Sequence, residues 1–125
     1  MSDRRRLLGQ RGEQLAEGYL VNKGFRIVDR NVRTKRGEMD LIARDGNCLV
    51  FIEVRTRSSQ FFGTAGESIT WKKKQKLREL AIEYLQKTAQ PIPAFRFDVI
   101  AIYTGTSTQG GDFMKPVIEH YESAF

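Results

Sequence analysis

A mixed α/β sandwich, a hairpin-rich sheet with two helices packed against it, is the fold class the sequence predicts. Three observations predict it. Two segments place their apolar residues at helical spacing on one face. Two runs rich in β-branched and aromatic residues flank Asp45-Gly46-Asn47, a strong short-range hairpin signal. No glycine-rich phosphate loop is present, which excludes a doubly wound nucleotide-binding fold.

The elements follow in order. The first helix is expected from about Gly12 to Lys23, with Ala16, Tyr19, Leu20 and Lys23 on one face and Gly24 as its stop. Residues 1–9 are basic and expected to be flexible. Phe25–Arg33 reads as an edge strand, with Phe25, Ile27 and Asp29 on one face. Met39–Arg44 and Cys48–Thr56 are the clearest strands. The second is apolar on both faces until Glu53, the pattern of a central strand covered on both sides. Residues 58–68 read as a loop. Thr70 is placed to cap a helix running to about Lys87, whose stripe is Leu77, Leu80, Ala81, Tyr84 and Leu85. Phe95–Tyr103 and Met114–Tyr121 are the last strands, joined by a Gly/Ser/Thr stretch at 104–111, and residues 122–125 trail off. The 125 residues suit one domain.

Composition limits the chemistry. With one cysteine, Cys48, and one histidine, His120, neither an internal disulfide nor a thiolate zinc site is possible. A bound metal would need oxygen ligands, which points to magnesium, manganese or calcium. No apolar run reaches membrane-spanning length, and no apolar segment of signal-peptide type follows Arg4–Arg6. A cytoplasmic location without a membrane partner is therefore expected. The net charge of +6 attracts polyanions.

The informative residues lie around the central hairpin. Glu53 and Arg55 are two apart on one strand and point the same way. Asp40 lies on the partner strand. A turn at Asp45-Gly46 sets it opposite Phe51, and a turn at Gly46-Asn47 sets it opposite Glu53. Either register brings it out on the face of Glu53. Two carboxylates that close repel unless a cation lies between them. Asp40 and Glu53 would thus hold a divalent metal, with Arg55 positioning water or stabilising developing charge. The alternative is a structural ion-pair cluster, but a charge interrupting an apolar central strand is costly without a partner.

Two helical residues are aimed at the same place. Glu13, one turn before Ala16, can reach the sheet end as a further acid. Lys73 continues the apolar stripe of the second helix past its end. Together with Lys72, Lys74 and Lys76 it forms a basic cluster able to grip phosphates.

The runs Arg36-Gly37-Glu38-Met39-Asp40-Leu41-Ile42-Ala43 and Leu49-Val50-Phe51-Ile52-Glu53-Val54-Arg55-Thr56-Arg57 carry a family resemblance. Ile69-Thr70 ahead of Lys73, and Phe95-Arg96-Phe97-Asp98-Val99, add to it. Over about residues 10–103 the sequence resembles the YraN family, bacterial proteins proposed to be endonucleases. That family is similar to the PD-(D/E)xK nucleases and the archaeal Holliday-junction resolvases. The resemblance implies a restriction-endonuclease-like mixed sheet flanked by helices. It implies Asp40 and Glu53 as ligands of Mg²⁺ or Mn²⁺, Glu13 as the acid of the N-terminal helix, and Arg55 at the place of the motif lysine. Arginine keeps its proton in proteins and cannot act as a base there.

The expected function is metal-dependent endonuclease action on DNA, branched or single-stranded, in recombination or repair. The alternative is a non-catalytic DNA-binding module on a nuclease scaffold. A homodimer is the expectation by analogy with resolvases, which cut two strands.

Overall fold

A computed structural model describes residues 3–57, 69–88, 92, 94–103 and 116–125, with side chains from residue 10 onward. The element order is α1 (Asp3–Asn22), β1 (Arg26–Thr34), β2 (Gly37–Asp45), β3 (Cys48–Arg57), α2 (Trp71–Lys87), β4 (Ala94–Tyr103) and β5 (Val117–Tyr121). This is the expected order. The strands form one sheet in the order β1-β2-β3-β4-β5, with β3 and β4 parallel and the other neighbours antiparallel. The stretches read as loops, 58–68 and 104–111, lie outside the described residues.

The helices cover opposite faces. Ala16 and Leu20 of α1 pack with Leu41, Ala43, Val50, Ile52, Ile100 and Ile102. Leu77, Leu80 and Ala81 of α2 pack with Met39, Ile42, Leu49, Phe51 and Phe97. Each large apolar side chain so buried contributes about 1.5–3 kcal/mol. The expected stripe of α2 is the stripe it buries, with Tyr84 and Leu85 at its margin. Strand β3 lies between both cores, and its residues 49–53 are all buried. Its doubly apolar sequence is explained by that place.

α1 starts well before Gly12, and its backbone is helical from Asp3. The Gly24 stop has φ +99°, a left-handed value that glycine adopts without strain. The β1–β2 register shifts between Ile27 and Asp29. Ile27 therefore joins the α1 core, whereas Asp29 lies within hydrogen-bond reach of the Tyr84 hydroxyl on α2. The expectation of one shared face for Phe25, Ile27 and Asp29 fails because the bulge turns the strand over.

The end of the chain is tied to β4. Asp98, fully buried, accepts from Arg96 Nε at 3.0 Å and from the Ser123 amide at 3.0 Å. His120 Nε2 lies 2.7 Å from the same carboxylate. Burial alone would raise the Asp98 pKa. The contacts with His120, Arg96 and Ser123 outweigh it and hold the carboxyl below its ordinary value. Phe125 stacks on Phe97, with ring centroids 4.9 Å apart. Residues 122–125, which the sequence suggested would trail off, run back along the sheet.

Candidate active site

The hairpin turn fixes the register around Asp40. Asp45 pairs with Cys48, so the turn is Gly46-Asn47, and Gly46 has φ +60°. The same register ends with Leu41 opposite Ile52, so Asp40 and Glu53 are the next residues of the two strands beyond the last pair. Of the two turns the sequence allowed, this is the one whose register leads to Glu53 and not to Phe51.

Beyond Leu41–Ile52 the two strands stop pairing. β2 continues to Gly37 against β1, and β3 continues to Arg57 against β4. The sheet therefore forks, and Asp40 and Glu53 stand at the base of the fork. Side-chain alternation breaks there. Met39 packs on the α2 side and Leu41 on the α1 side, although they are two residues apart. Asn31, which faces Asp40 on β1, has φ 49°. Asparagine tolerates that left-handed conformation better than most residues. The irregularity brings Asp40 between the two faces instead of onto one, and there its Oδ2 accepts from the Val54 amide at 2.8 Å. A side chain has taken the place of a ladder carbonyl.

Three more groups meet this fork, Lys73, Arg55 and Glu13. Glu53 is 5% exposed, and its Oε1 accepts from Lys73 Nζ at 2.8 Å. Thr70 caps α2 by accepting from the Lys73 amide, which fixes the turn that carries this lysine. Arg55 Nε lies 3.8 Å from the same Glu53 oxygen. That nitrogen is buried and has no hydrogen-bond acceptor among the described residues. Glu13 approaches from α1, on the other face, and its half-buried carboxyl interacts with Asp40.

The electrostatics reflect crowding. Burial pushes the Asp40 carboxyl up to about 7, and the charges of Glu53, Glu13 and Glu38 add to it against the Val54 hydrogen bond. Glu13 is raised as well, first by burial and then by Glu38 and Glu53, while its contact with Asp40 opposes the shift. Glu53 has a cation within bonding distance, whereas Asp40 has the Val54 amide and the Glu13 carboxyl and, among the described residues, no ion pair. The acidic side of the site is thus short of positive charge at Asp40.

A helix glycine sets how close Glu13 comes. Gly12 is buried against β3, and a Cβ built on it overlaps Thr56 Oγ1 and lies 3.1 Å from Thr56 Cβ. Gly18, on the same helix, has nothing within 4 Å of such an atom. Gly12→Ala is expected to destabilise the protein by about 1–3 kcal/mol through overpacking. Gly18→Ala is expected to stabilise it by roughly 0.5–1 kcal/mol through helix propensity. Urea unfolding of both variants checks the pair, and equal effects would remove the close-approach role of Gly12.

The donor set can be judged against a metal. Among the described residues no three His, Cys, Asp or Glu side chains form a ready metal cage. Asp40 and Glu53 make a pair of hard oxygen donors. Magnesium typically keeps several waters and takes only one or two carboxylates. The pair, with an excess of negative charge at Asp40, fits such an ion in type.

The basic cluster of the sequence divides. Lys73 turns inward to Glu53, while Lys72 and Lys76 are exposed. Lys74 and Arg78 lie over the Phe125 ring, at 5.6–5.8 Å from its centroid.

The profile of uncharacterised protein family UPF0102 matches residues 12–102, which include the fork and the helix turn bearing Lys73. The chain belongs to the UPF0102 family. A UPF0102 protein of Pelotomaculum thermopropionicum is 45% identical over 125 residues, covering all of both chains. One from Rhodococcus opacus is 44% identical over 118 residues, 94% of this chain and 95% of its own. One from Moorella thermoacetica is 47% identical over 103 residues, 82% and 86% of the two chains. The YraN-like resemblance seen in the motifs holds at this level of family. Glu13, Asp40, Glu53, Arg55 and Lys73 all fall inside the UPF0102 match. No described helix is long and apolar enough to cross a membrane.

Proposed function

We propose that the fork is the active centre of a metal-dependent endonuclease acting on DNA, with the restriction-endonuclease-like architecture that the motifs imply. One observation carries the reading. Two carboxylates from neighbouring strands, Asp40 and Glu53, lie close enough for the charge of one to act on the other where the sheet opens, with Lys73 and Arg55 beside Glu53. Such a grouping has little use as packing, because buried like charges are unfavourable.

A bound Mg²⁺ or Mn²⁺ would supply Lewis acidity and a water of lowered pKa. Asp40 and Glu53 would hold it. The Val54 amide fixes one Asp40 oxygen and so orients the other. Lys73 Nζ does the same for Glu53 and adds positive charge at the centre. Arg55, whose buried Nε has no hydrogen-bond acceptor among the described residues, would donate to a phosphate oxygen. Glu13, with its raised pKa, is suited to hold a proton or a water at the α1 side of the fork. Lys72, Lys74 and Lys76 would contact the DNA backbone, and the net charge of +6 favours that partner.

One feature favours the second reading, a non-catalytic DNA-binding module. Glu53 is already neutralised by Lys73, as in a structural ion pair. Incubation with linear, flapped and four-way DNA in Mg²⁺ or Mn²⁺ separates the two. Cleavage that disappears in Asp40→Ala supports the nuclease. Binding without cleavage of any substrate leaves the module. Activity that survives Asp40→Ala would mean a contaminant or another site.

A further inference from the structure

Trp71, the only tryptophan of the chain, opens α2 with 74% of its surface exposed. Tryptophan is usually well buried, and this one contributes little to the core. The apolar stripe of α2 begins at Leu77 and faces the sheet, so the indole does not extend it. Of the six residues 71–76, four are lysines. The first turn holds no acidic residue. Positive charge at a helix N-terminus works against the helix dipole, so these lysines do not serve helix stability. Lys72 and Lys76 are exposed and form no ion pair with a described residue. Two residues past the indole, Lys73 reaches the buried Glu53 at 2.8 Å. One helical turn thus joins an exposed aromatic face, free positive charge and the carboxylate pair.

We propose that Trp71 is a stacking platform for an unpaired base of single-stranded nucleic acid, whose backbone runs along Lys72 and Lys76 toward the fork. This rests on the nuclease reading for its destination, but the stacking itself needs no metal. A base inside a duplex has both faces covered by its neighbours, whereas an unpaired one offers a π-face to an indole. Lysines beside the ring neutralise the phosphates on either side of the stacked base. A lipid surface would also attract an indole and lysines, but it gives no reason for the same turn to carry a bond to a buried carboxylate.

The test uses the full chain with EDTA present, so that hydrolysis plays no part. Single-stranded oligothymidylate should quench the Trp71 emission, and a blunt duplex should do so weakly. With labelled oligonucleotides, Trp71→Ala should weaken single-strand binding about 5- to 100-fold. It should leave duplex binding unchanged, and Trp71→Phe should keep most of the affinity. An exposed first-turn residue is not needed for folding, which circular dichroism checks. Equal loss on both substrates, no loss on the single strand, or single-strand binding without quenching would each overturn the proposal. So would phosphatidylserine vesicles that shift the emission while oligothymidylate does not. The nuclease reading fails separately. Stacking intact with no cleavage in Mg²⁺ or Mn²⁺ removes only that reading, and duplex cleavage without stacking removes only this one.

Discussion

Lys73→Met is expected to lower DNA cleavage by about 10²–10³-fold, the loss typical of removing one charge-stabilising donor from a preorganised site. The methionine keeps the length and apolar stem of the side chain and deletes the ammonium that bonds Glu53. Asp40→Ala and Glu53→Ala should abolish cleavage, because each removes half of the oxygen pair. Arg55→Lys is expected to retain or raise the rate, since lysine keeps the charge and can also shed a proton when its pKa is depressed. Arg55→Ala should be far worse. The physical point is where the second cation comes from. In this chain the strand position two beyond Glu53 carries a guanidinium, and the lysine next to Glu53 is delivered by α2. Single-turnover rates across pH would check it. A Lys73→Met enzyme as fast as wild type would reduce Lys73 to a phosphate contact at most. No cleavage by wild type and Arg55→Lys alike, with DNA binding intact, would favour the non-catalytic module.

The second large effect concerns stability, pH and metal together. The Asp40 carboxyl is pushed from its ordinary 3.8 to about 7. A raised folded-state pKa means that the folded chain keeps a proton the unfolded chain has released. That stabilisation is fully present below about 3.8 and is lost as pH rises through about 7. Glu13, also raised, acts in the same direction. As far as these groups are concerned, the metal-free protein should melt at a higher temperature near pH 5 than near pH 8, by several degrees. Mn²⁺ should restore the deficit. At saturating concentration it should raise Tm by roughly 5–10 °C near pH 8 and less near pH 5. Asp40→Asn removes the ionisation, so it should flatten the pH dependence and abolish the response to Mn²⁺. Differential scanning fluorimetry measures all of this. A response to Mn²⁺ that is unchanged in Asp40→Asn would place the ion elsewhere.

Much of the fold was legible because it depends on periodicity. The stripe of α2, the doubly apolar run of β3 and the Asp45-Gly46-Asn47 turn each determine a local geometry nearly alone. Counting back from the turn leaves Asp40 level with either Phe51 or Glu53, and the Asp45–Cys48 pair decides for the second register. Strict alternation failed at two places, Ile27–Asp29 and Met39–Leu41. A bulge or a fork depends on which neighbours a strand has, and no window of its own residues carries that. Lys73 was distinguishable as a charge on the core side of a helix, but its partner was not. Glu53 lies twenty residues away in sequence. Gly12 looked like a helix start, and only the position of Thr56 shows why a side chain cannot stand there. Sequence alone did not bring Asp98 and His120 together. Their contact depends on β5 lying beside β4, a long-range pairing without a local signature.

The fork has a mechanical consequence. Below the Leu41–Ile52 pair, the two carboxylates are not mounted on a continuous ladder. They ride on strands that pair outward, β2 with β1 and β3 with β4, and no ladder pair joins β2 to β3 at their level. The gap between Asp40 and Glu53 then depends on the twist of the sheet and on the side chains packed around the last ladder pair, Met39 and Ile42 on the α2 side and Leu41 and Ile52 on the α1 side. A metal ion held between the carboxylates, as proposed, would bear on both strands at once. Conversely, a change in the size of those side chains would retune the proposed grip without altering either carboxylate.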